Sequence, residues 1–434
     1  MTEKPSEISS NKPSRSWSTY MTDIYVSRRP PLLDTVAVDK IEEKAREKMK
    51  DNIGAFLYVF GSAGTCSTDR ANRAAFDKWK IVPRMLRNAS ERNIETTIFG
   101  VKHSSPLILA PIGVQAIMHP EAELATARAA KALGVGMVMS TASSRSMEEV
   151  GEANGDGERW FQLYWPRTNE VTASLLSRAK SSGFTALVIT LDTVLLGWRP
   201  HDLDTAYLPF GHGTGIAVGT SDPVFMSRFD VPPHSKHVEF PYEPKKLDEL
   251  FIKGDKEVRT RVRLGREWLA EVNSGHFRTW EDLKIIREHW DGPVVLKGIQ
   301  SIADAEMAVD FVDGIVVSNH GGRQVDGAIA SLDALAKICM SEKIMEAQSD
   351  GKFTVLFDSG IRTGSDIIKA LALGAQAVLL GRPYIYGLCL GGQAGIEQQV
   401  RTILADMEIT MGLCGYKNVE EIREDIGFVV KESD

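Results

Sequence analysis

The chain has 434 residues, 43% hydrophobic and 25% charged, a balance that belongs to a globular protein with a large apolar core. Its formal net charge of -7 argues against general affinity for nucleic acid or an anionic membrane, since both partners need a basic surface. Four cysteines, Cys66, Cys339, Cys389 and Cys414, stand far apart without CxxC spacing, which argues against a zinc site or disulfide framework and fits a reducing, cytoplasmic interior.

Residues 1–20 read as a disordered N-terminal arm, polar and lacking the apolar stretch of a secretion signal, and residues 21–434 as one folded unit. Asp39 to Lys50 predicts a charged amphipathic helix, and Gly61 to Asp69 a small-residue loop suited to lie over a site. Short apolar runs bounded by turn residues then predict strands at Leu107–Ala110, Gly136–Ser140, Trp160–Tyr164 and Ala186–Leu191. Four more follow at Val294–Lys297, Gly314–Ser318, Thr354–Phe357 and Ala377–Leu380. Helical periodicity separates them at Glu121–Leu133, Asn169–Ser181, Ile302–Val312, Leu332–Gln348 and Gly364–Leu373. Eight strand and helix units predict an α/β fold, a TIM (β/α)8 barrel, whose core would be filled by residues such as Met137, Met139 and Phe161.

Residues 198–280 interrupt the alternation after the fourth strand, Pro-rich and without clear period, and read as a long lid or interface loop. Its segment Tyr207 to Val218 is too short and Gly-rich to cross a membrane and reads as surface lid. His234 and His237 lie in this loop with no carboxylate at matching helical spacing, so no metal is expected.

A barrel collects its chemistry at the carboxyl ends of its strands. There the sequence places Pro111 and Gly113, Ser140, Gln162 and Tyr164, Thr190 and Asp192, Lys297, Ser318 and His320, Asp358 and Gly360, and Gly381 and Arg382. Loops begin at such positions, so single polar residues carry little. The pairs at spacing two, 162 with 164, 190 with 192 and 318 with 320, would each aim both side chains at one cavity. In Ser318-Asn319-His320-Gly321-Gly322-Arg323, the glycines allow a sharp turn that brings a guanidinium back beside an imidazole, a base next to an anion clamp. Asp358-Ser359-Gly360-Ile361-Arg362-Thr363-Gly364 and Gly381-Arg382-Pro383 follow the seventh and eighth strands, where a barrel binds phosphate, and suggest a phosphorylated cofactor. Ser140, Gln162 and Thr190 suit the edge of a planar uncharged heterocycle, and Lys297 supplies a fixed charge that would stabilise such a ring once reduced.

The segments Phe161-Gln162-Leu163-Tyr164, Thr190-Leu191-Asp192-Thr193, Leu296-Lys297-Gly298, Ser318 to Gln324 and Gly381-Arg382-Pro383 resemble the FMN-dependent 2-hydroxy acid oxidase and dehydrogenase family, from about Tyr25 to Gly427. Leu196-Gly197-Trp198-Arg199-Pro200, Asp222-Pro223-Val224-Phe225 and Leu356 to Arg362 are similar to its lactate 2-monooxygenase branch. The resemblance implies that His320 is the catalytic base, oriented by Asp192, that Arg199 and Arg323 hold the substrate carboxylate with Tyr58, and that Tyr164 contacts the substrate hydroxyl. It implies FMN held by Pro111, Ile112, Gly113, Ser140, Gln162, Thr190, Lys297, Ser318, Asp358, Gly360, Arg362, Gly381 and Arg382. Relatives often carry alanine where Gly113 stands, so the missing methyl is expected to open room for oxygen or peroxide. The implied reaction is oxidation of a small L-2-hydroxy acid such as lactate with molecular oxygen as acceptor, ending in acetate, carbon dioxide and water, in a homotetramer. Release of the 2-oxo acid and peroxide, a dehydrogenase for a bulkier acid such as mandelate, and a barrel that binds ligand without turnover remain open beside it.

Overall fold

The computed structural model describes residues 16–425 and 427–432. Twelve strands occur among them: β1 (Trp79–Ile81), β2 (Thr96–Ile98), β3 (Val101–His103), β4 (Leu107–Leu109), β5 (Gly136–Ser140), β6 (Arg159–Leu163), β7 (Leu187–Thr190), β8 (Val294–Ile299), β9 (Gly314–Val317), β10 (Thr354–Phe357), β11 (Ala377–Leu380) and β12 (Val429–Lys431). Strands β4 to β11 close into a parallel barrel through the β11 to β4 pairing, and each lies within two residues of its predicted place. Two small antiparallel sheets, β1 with β12 and β2 with β3, lie outside it.

The barrel is packed, as its size requires. Ile108, Val138, Trp160, Val188, Val295, Val316, Leu356 and Leu379 form one inner cluster, and Ile98 and Phe99 of the β2–β3 hairpin extend it at the amino end, with the Phe99 ring 5.6 Å from Trp160. Side chains alternate along a strand, so residues two further along also face inward. Those residues are Ser140, Gln162, Thr190, Lys297, Ser318, Asp358 and Gly381, and the apolar filling fixes the direction of the polar rim.

Met137, Met139 and Phe161 have the opposite parity. They pack outward against the helical layer instead of filling the barrel, so that expectation is corrected. The predicted helix Leu332–Gln348 is two, Ser331–Ile338 and Glu342–Ser349, because the Ser341 side chain caps the second. The expected helix Asp39–Lys50 runs Val38–Lys48, and the loop expected over Gly61 to Asp69 ends where Ser67 begins a helix.

The predicted disorder of residues 1–15 falls outside the described residues. Residues 16–20 differ from that expectation: Ser16 Oγ donates to Glu408 at 2.6 Å, the Ser18 amide does the same, and a helix starts at Thr19. Residues 198–280 are also more ordered than their composition suggested. They include the helices Pro244–Lys253 and Lys256–Val272, with Asp255 capping the latter at the Val258 amide. Thr214 to Thr220 is buried rather than surface lid, and the Phe225 and Trp268 rings meet edge to face at 4.9 Å beside it.

Candidate active site

The carboxyl ends of the barrel strands open into a cleft. Its lining includes Tyr58, Pro111, Ile112, Gly113, Tyr164, Arg199, Lys297, His320, Arg323, Asp358, Gly360, Arg362, Gly381 and Arg382. Ser140, Gln162, Thr190 and Ser318 belong to the same inward-facing rim and are buried. Ser140 Oγ donates to Gln162 Oε1 at 3.0 Å, and Gln162 Nε2 donates to Thr190 Oγ1 at 3.0 Å. Lys297 Nζ donates to Ser318 Oγ at 3.0 Å and lies 3.4 Å from Asp358.

His320 and Asp192, 128 residues apart, meet at 2.8 Å between Nδ1 and Oδ1. Ionised Asp192 accepts only, so Nδ1 carries the hydrogen and Nε2 keeps its lone pair. Asp192 Oδ2 is buried without a hydrogen-bond partner among the described residues. Burial pulls the His320 pKa below its ordinary value, Asp192 pushes it back up, and Lys297 lowers it again, leaving the ring neutral near neutral pH. Burial opposes ionisation of Asp192, but His320 and Lys297 outweigh it and hold the carboxyl well below its usual range. Burial likewise disfavours charge on Lys297, and Asp358 and Asp192 overcome it, so the ammonium persists.

His320, Gly321 and Gly322 all take left-handed backbone conformations. A Cβ on Gly322 would stand 2.7 Å from the Asp69 amide nitrogen, which explains the glycine there. The turn returns Arg323 to the cleft, where its Nη1 donates to the carbonyls of Tyr58 and Gly61, each at 2.7 Å. Burial and the nearby charges of Arg199 and Arg382 push its pKa down to about 9, a fall that Tyr58 and Asp202 only partly offset, so it stays charged at neutral pH. Arg199 Nε donates to the Arg323 carbonyl at 2.9 Å. Tyr164, driven up to about 12 by burial, keeps its proton and can donate.

Three contributors had no role in the sequence reading. Gln324 accepts a short hydrogen bond from Arg199 and donates to the Asp192 carbonyl at 2.7 Å, joining clamp to base. Thr193 donates to Asp192 Oδ1 at 2.9 Å. Ser359 accepts from the Gly321 amide at 2.9 Å. Each adjoins a singled-out residue, and that adjacency was the available signal.

The expected space at Gly113 is overturned. A Cβ there would lie 2.5 Å from both the Cβ and the carbonyl oxygen of Ala142, so Ala142 already fills the room a methyl would take. His237 pairs with Glu149 at 2.6 Å and not with His234.

A family model described as FMN-dependent dehydrogenase matches residues 45–428. The chain belongs to the FMN-dependent dehydrogenase family. It is 44% identical to the FMN-dependent alpha-hydroxy acid dehydrogenase qulF of Penicillium citrinum, over 95% of this chain and 96% of that one. It is 38% identical to an L-lactate oxidase of Lysinibacillus sphaericus, over 88% and 90%. Among solved structures, mandelate oxidase superposes with a TM-score of 0.71 at 34% identity, covering 90% of this chain and 97% of that one. The chain is therefore an FMN-dependent 2-hydroxy acid oxidoreductase. Its donor set fits the family's cofactor: neutral hydrogen-bonding side chains and one ammonium on one side of the cleft, with Arg362 and Arg382 beside Gly360 and Gly381 on the other.

Proposed function

We propose that this enzyme oxidises a small L-2-hydroxy acid, L-lactate foremost, to the 2-oxo acid and passes the electrons to molecular oxygen. The observation that carries the reading is the His320–Asp192 pair opening onto the same cleft as the Arg199 and Arg323 guanidinium groups. The substrate carboxylate lies between Arg199 and Arg323, with the Tyr58 hydroxyl as a further donor. Its hydroxyl faces Tyr164 and His320 Nε2. His320 takes the substrate proton at Nε2, and Asp192 stabilises the resulting imidazolium. When bound, FMN supplies the two-electron sink. Pro111, Ile112 and Gly113 would lie along its ring, Ser140, Gln162, Thr190, Lys297 and Ser318 at its polar edge and ribityl chain, and Asp358, Gly360, Arg362, Gly381 and Arg382 around its phosphate.

Ala142, Leu196, Phe210, Leu269 and Val272 give the substrate's 2-substituent an apolar wall. A methyl group suits this wall, and L-lactate added without oxygen should bleach the flavin. An unchanged spectrum with several L-2-hydroxy acids would overturn the proposal.

A second reading concerns the products. Residues of the 198–280 insertion, Arg199, Phe210, Leu269 and Val272, wall the cleft, and such enclosure slows escape of the 2-oxo acid. This favours a monooxygenase outcome, acetate, carbon dioxide and water from lactate. Aerobic turnover tests it directly, because equimolar pyruvate and peroxide would exclude retention.

A further inference from the structure

Asp192 and Arg199 stand at the two ends of the segment that follows β7, and His320 and Arg323 at the two ends of the turn that follows β9. Each segment therefore carries one member of the base pair and one guanidinium of the clamp. A side chain that leaves one segment and touches both ends of the other sets the span between base and clamp. Gln324, next after Arg323, is such a side chain. Its Nε2 donates to the carbonyls of Asp192 at 2.7 Å and Leu195 at 2.9 Å. Its Oε1 accepts from the Gly197 amide at 3.3 Å and, in a short hydrogen bond, from Arg199 Nη2.

The four partners call for an amide at this position. Two are donors and two are acceptors, so the group between them needs an oxygen on one side and N–H on the other. A carboxylate would face the two carbonyls with nothing to donate, and an apolar side chain would leave all four partners unmet. The backbones also touch: a Cβ on Gly197 would stand 2.5 Å from the Arg323 carbonyl oxygen and 2.9 Å from Gln324 Cα, which explains the glycine. That contact fixes the middle of the 192–199 segment, whereas the amide reaches its ends. A bond that served only to tie a loop could end on backbone, but this one ends on the Arg199 guanidinium, a group that lines the cleft.

We propose that Gln324 is a positioning residue that sets the span between the carboxylate clamp and the base, so that an acid gripped by Arg199 presents its 2-hydroxyl to His320. The inference rests on the roles given to these residues under the proposed function. Through Oε1 the amide orients the Arg199 fork toward the substrate carboxylate. Through Nε2 it holds the backbone of Asp192, and with it the carboxylate that orients His320. One side chain thus acts on both grip and proton transfer while touching neither substrate nor cofactor.

The test uses the FMN-loaded enzyme. Oxalate, a small carboxylate with no hydrogen on carbon to lose, probes the clamp, and its Kd is read from the change in flavin absorbance. Gln324→Met should weaken oxalate by about 10-fold, the worth of one charge-assisted hydrogen bond, and should slow the limiting rate of flavin bleaching by L-lactate. In an Arg199→Ala background the same substitution should weaken oxalate little further, and in an Asp192→Asn background it should slow bleaching little further, because residues that act through one another are not additive. Flavin absorbance and thermal melting should stay native. Gln324→Glu keeps the shape of the side chain and serves if the Met variant folds poorly; its charge pairs with Arg199, so it should weaken oxalate at least as much. Native oxalate affinity in either variant, or losses that multiply independently of Arg199 and Asp192 as those of a plain loop tie would, overturns the proposal, as does a native enzyme that binds no oxalate. The oxalate measurement needs no turnover, so failure of every L-2-hydroxy acid to bleach the flavin would overturn the oxidation reading and still leave the role of Gln324 decided by oxalate.

Discussion

His320 is poised by opposing influences: burial and Lys297 favour the neutral ring, while Asp192 favours the imidazolium. A base must be neutral to act, so kcat/KM should rise with pH on a limb centred below the ordinary histidine value of about 6.5. Replacing Asp192 by Asn removes the influence that raises the pKa. The limb should therefore move to lower pH while the maximal rate falls, by roughly 10²- to 10⁴-fold for a positioned base. A pH profile of the variant checks both directions, and a limb moving to higher pH would contradict the pairing. Arg199→Lys should chiefly raise KM, because losing a charge-assisted hydrogen bond worth about 1.5–3 kcal/mol corresponds to roughly 10- to 150-fold. Gly113→Ala should reduce FMN loading, read from flavin absorbance, because the new methyl meets Ala142 and leaves less room along the cleft.

At the level of elements, the barrel strands were legible because both their faces are buried, so each appears as a short continuous apolar run. Which face turns inward was less legible. Met137 and Val138 are equally apolar, and the phase of a fully buried strand cannot be read from its hydrophobicity. The polar pairs at strand ends carried that information, and extending their parity backwards would have assigned Val138 and Trp160 to the interior. The helix Lys256–Val272 escaped notice because charges interrupt its apolar stripe and Gly265 sits within it. That glycine is required, since a Cβ there would lie 2.2 Å from the Phe210 carbonyl oxygen. The cap at Asp255 with Val258, Val262 and Trp268 along one side was the usable signal. Trp268 is wholly buried and packs this helix on Gly219 and Phe225 within the insertion, so Trp268→Ala should cost about 3–5 kcal/mol in urea unfolding. It should also raise KM, because Leu269 and Val272 on the same helix wall the cleft.

Over the whole molecule, net charge and local charge have opposite signs. The chain carries -7 overall, yet Arg199, Lys297, Arg323, Arg362 and Arg382 converge on one cleft. Their mutual repulsion burdens the protein without its anionic ligands, and FMN binding should relieve it. Free FMN at a hundred times its Kd should stabilise the apoprotein by about 2.7 kcal/mol, seen as a rise in Tm with cofactor concentration. An unchanged Tm would exclude preferential binding to the folded state. The amino-acid sequence by itself determined the alternation of strands and helices, the spacing-two polar pairs and the kinds of chemistry at the strand ends, because steric periodicity and residue type are local properties of the chain. Only the tertiary structure decided that Asp192 after β7 meets His320 after β9, with Lys297 of β8 between them, and that Ala142 occupies the space beside Gly113. Those separations follow from barrel closure and the packing of loops across the mouth, which depend on every strand at once.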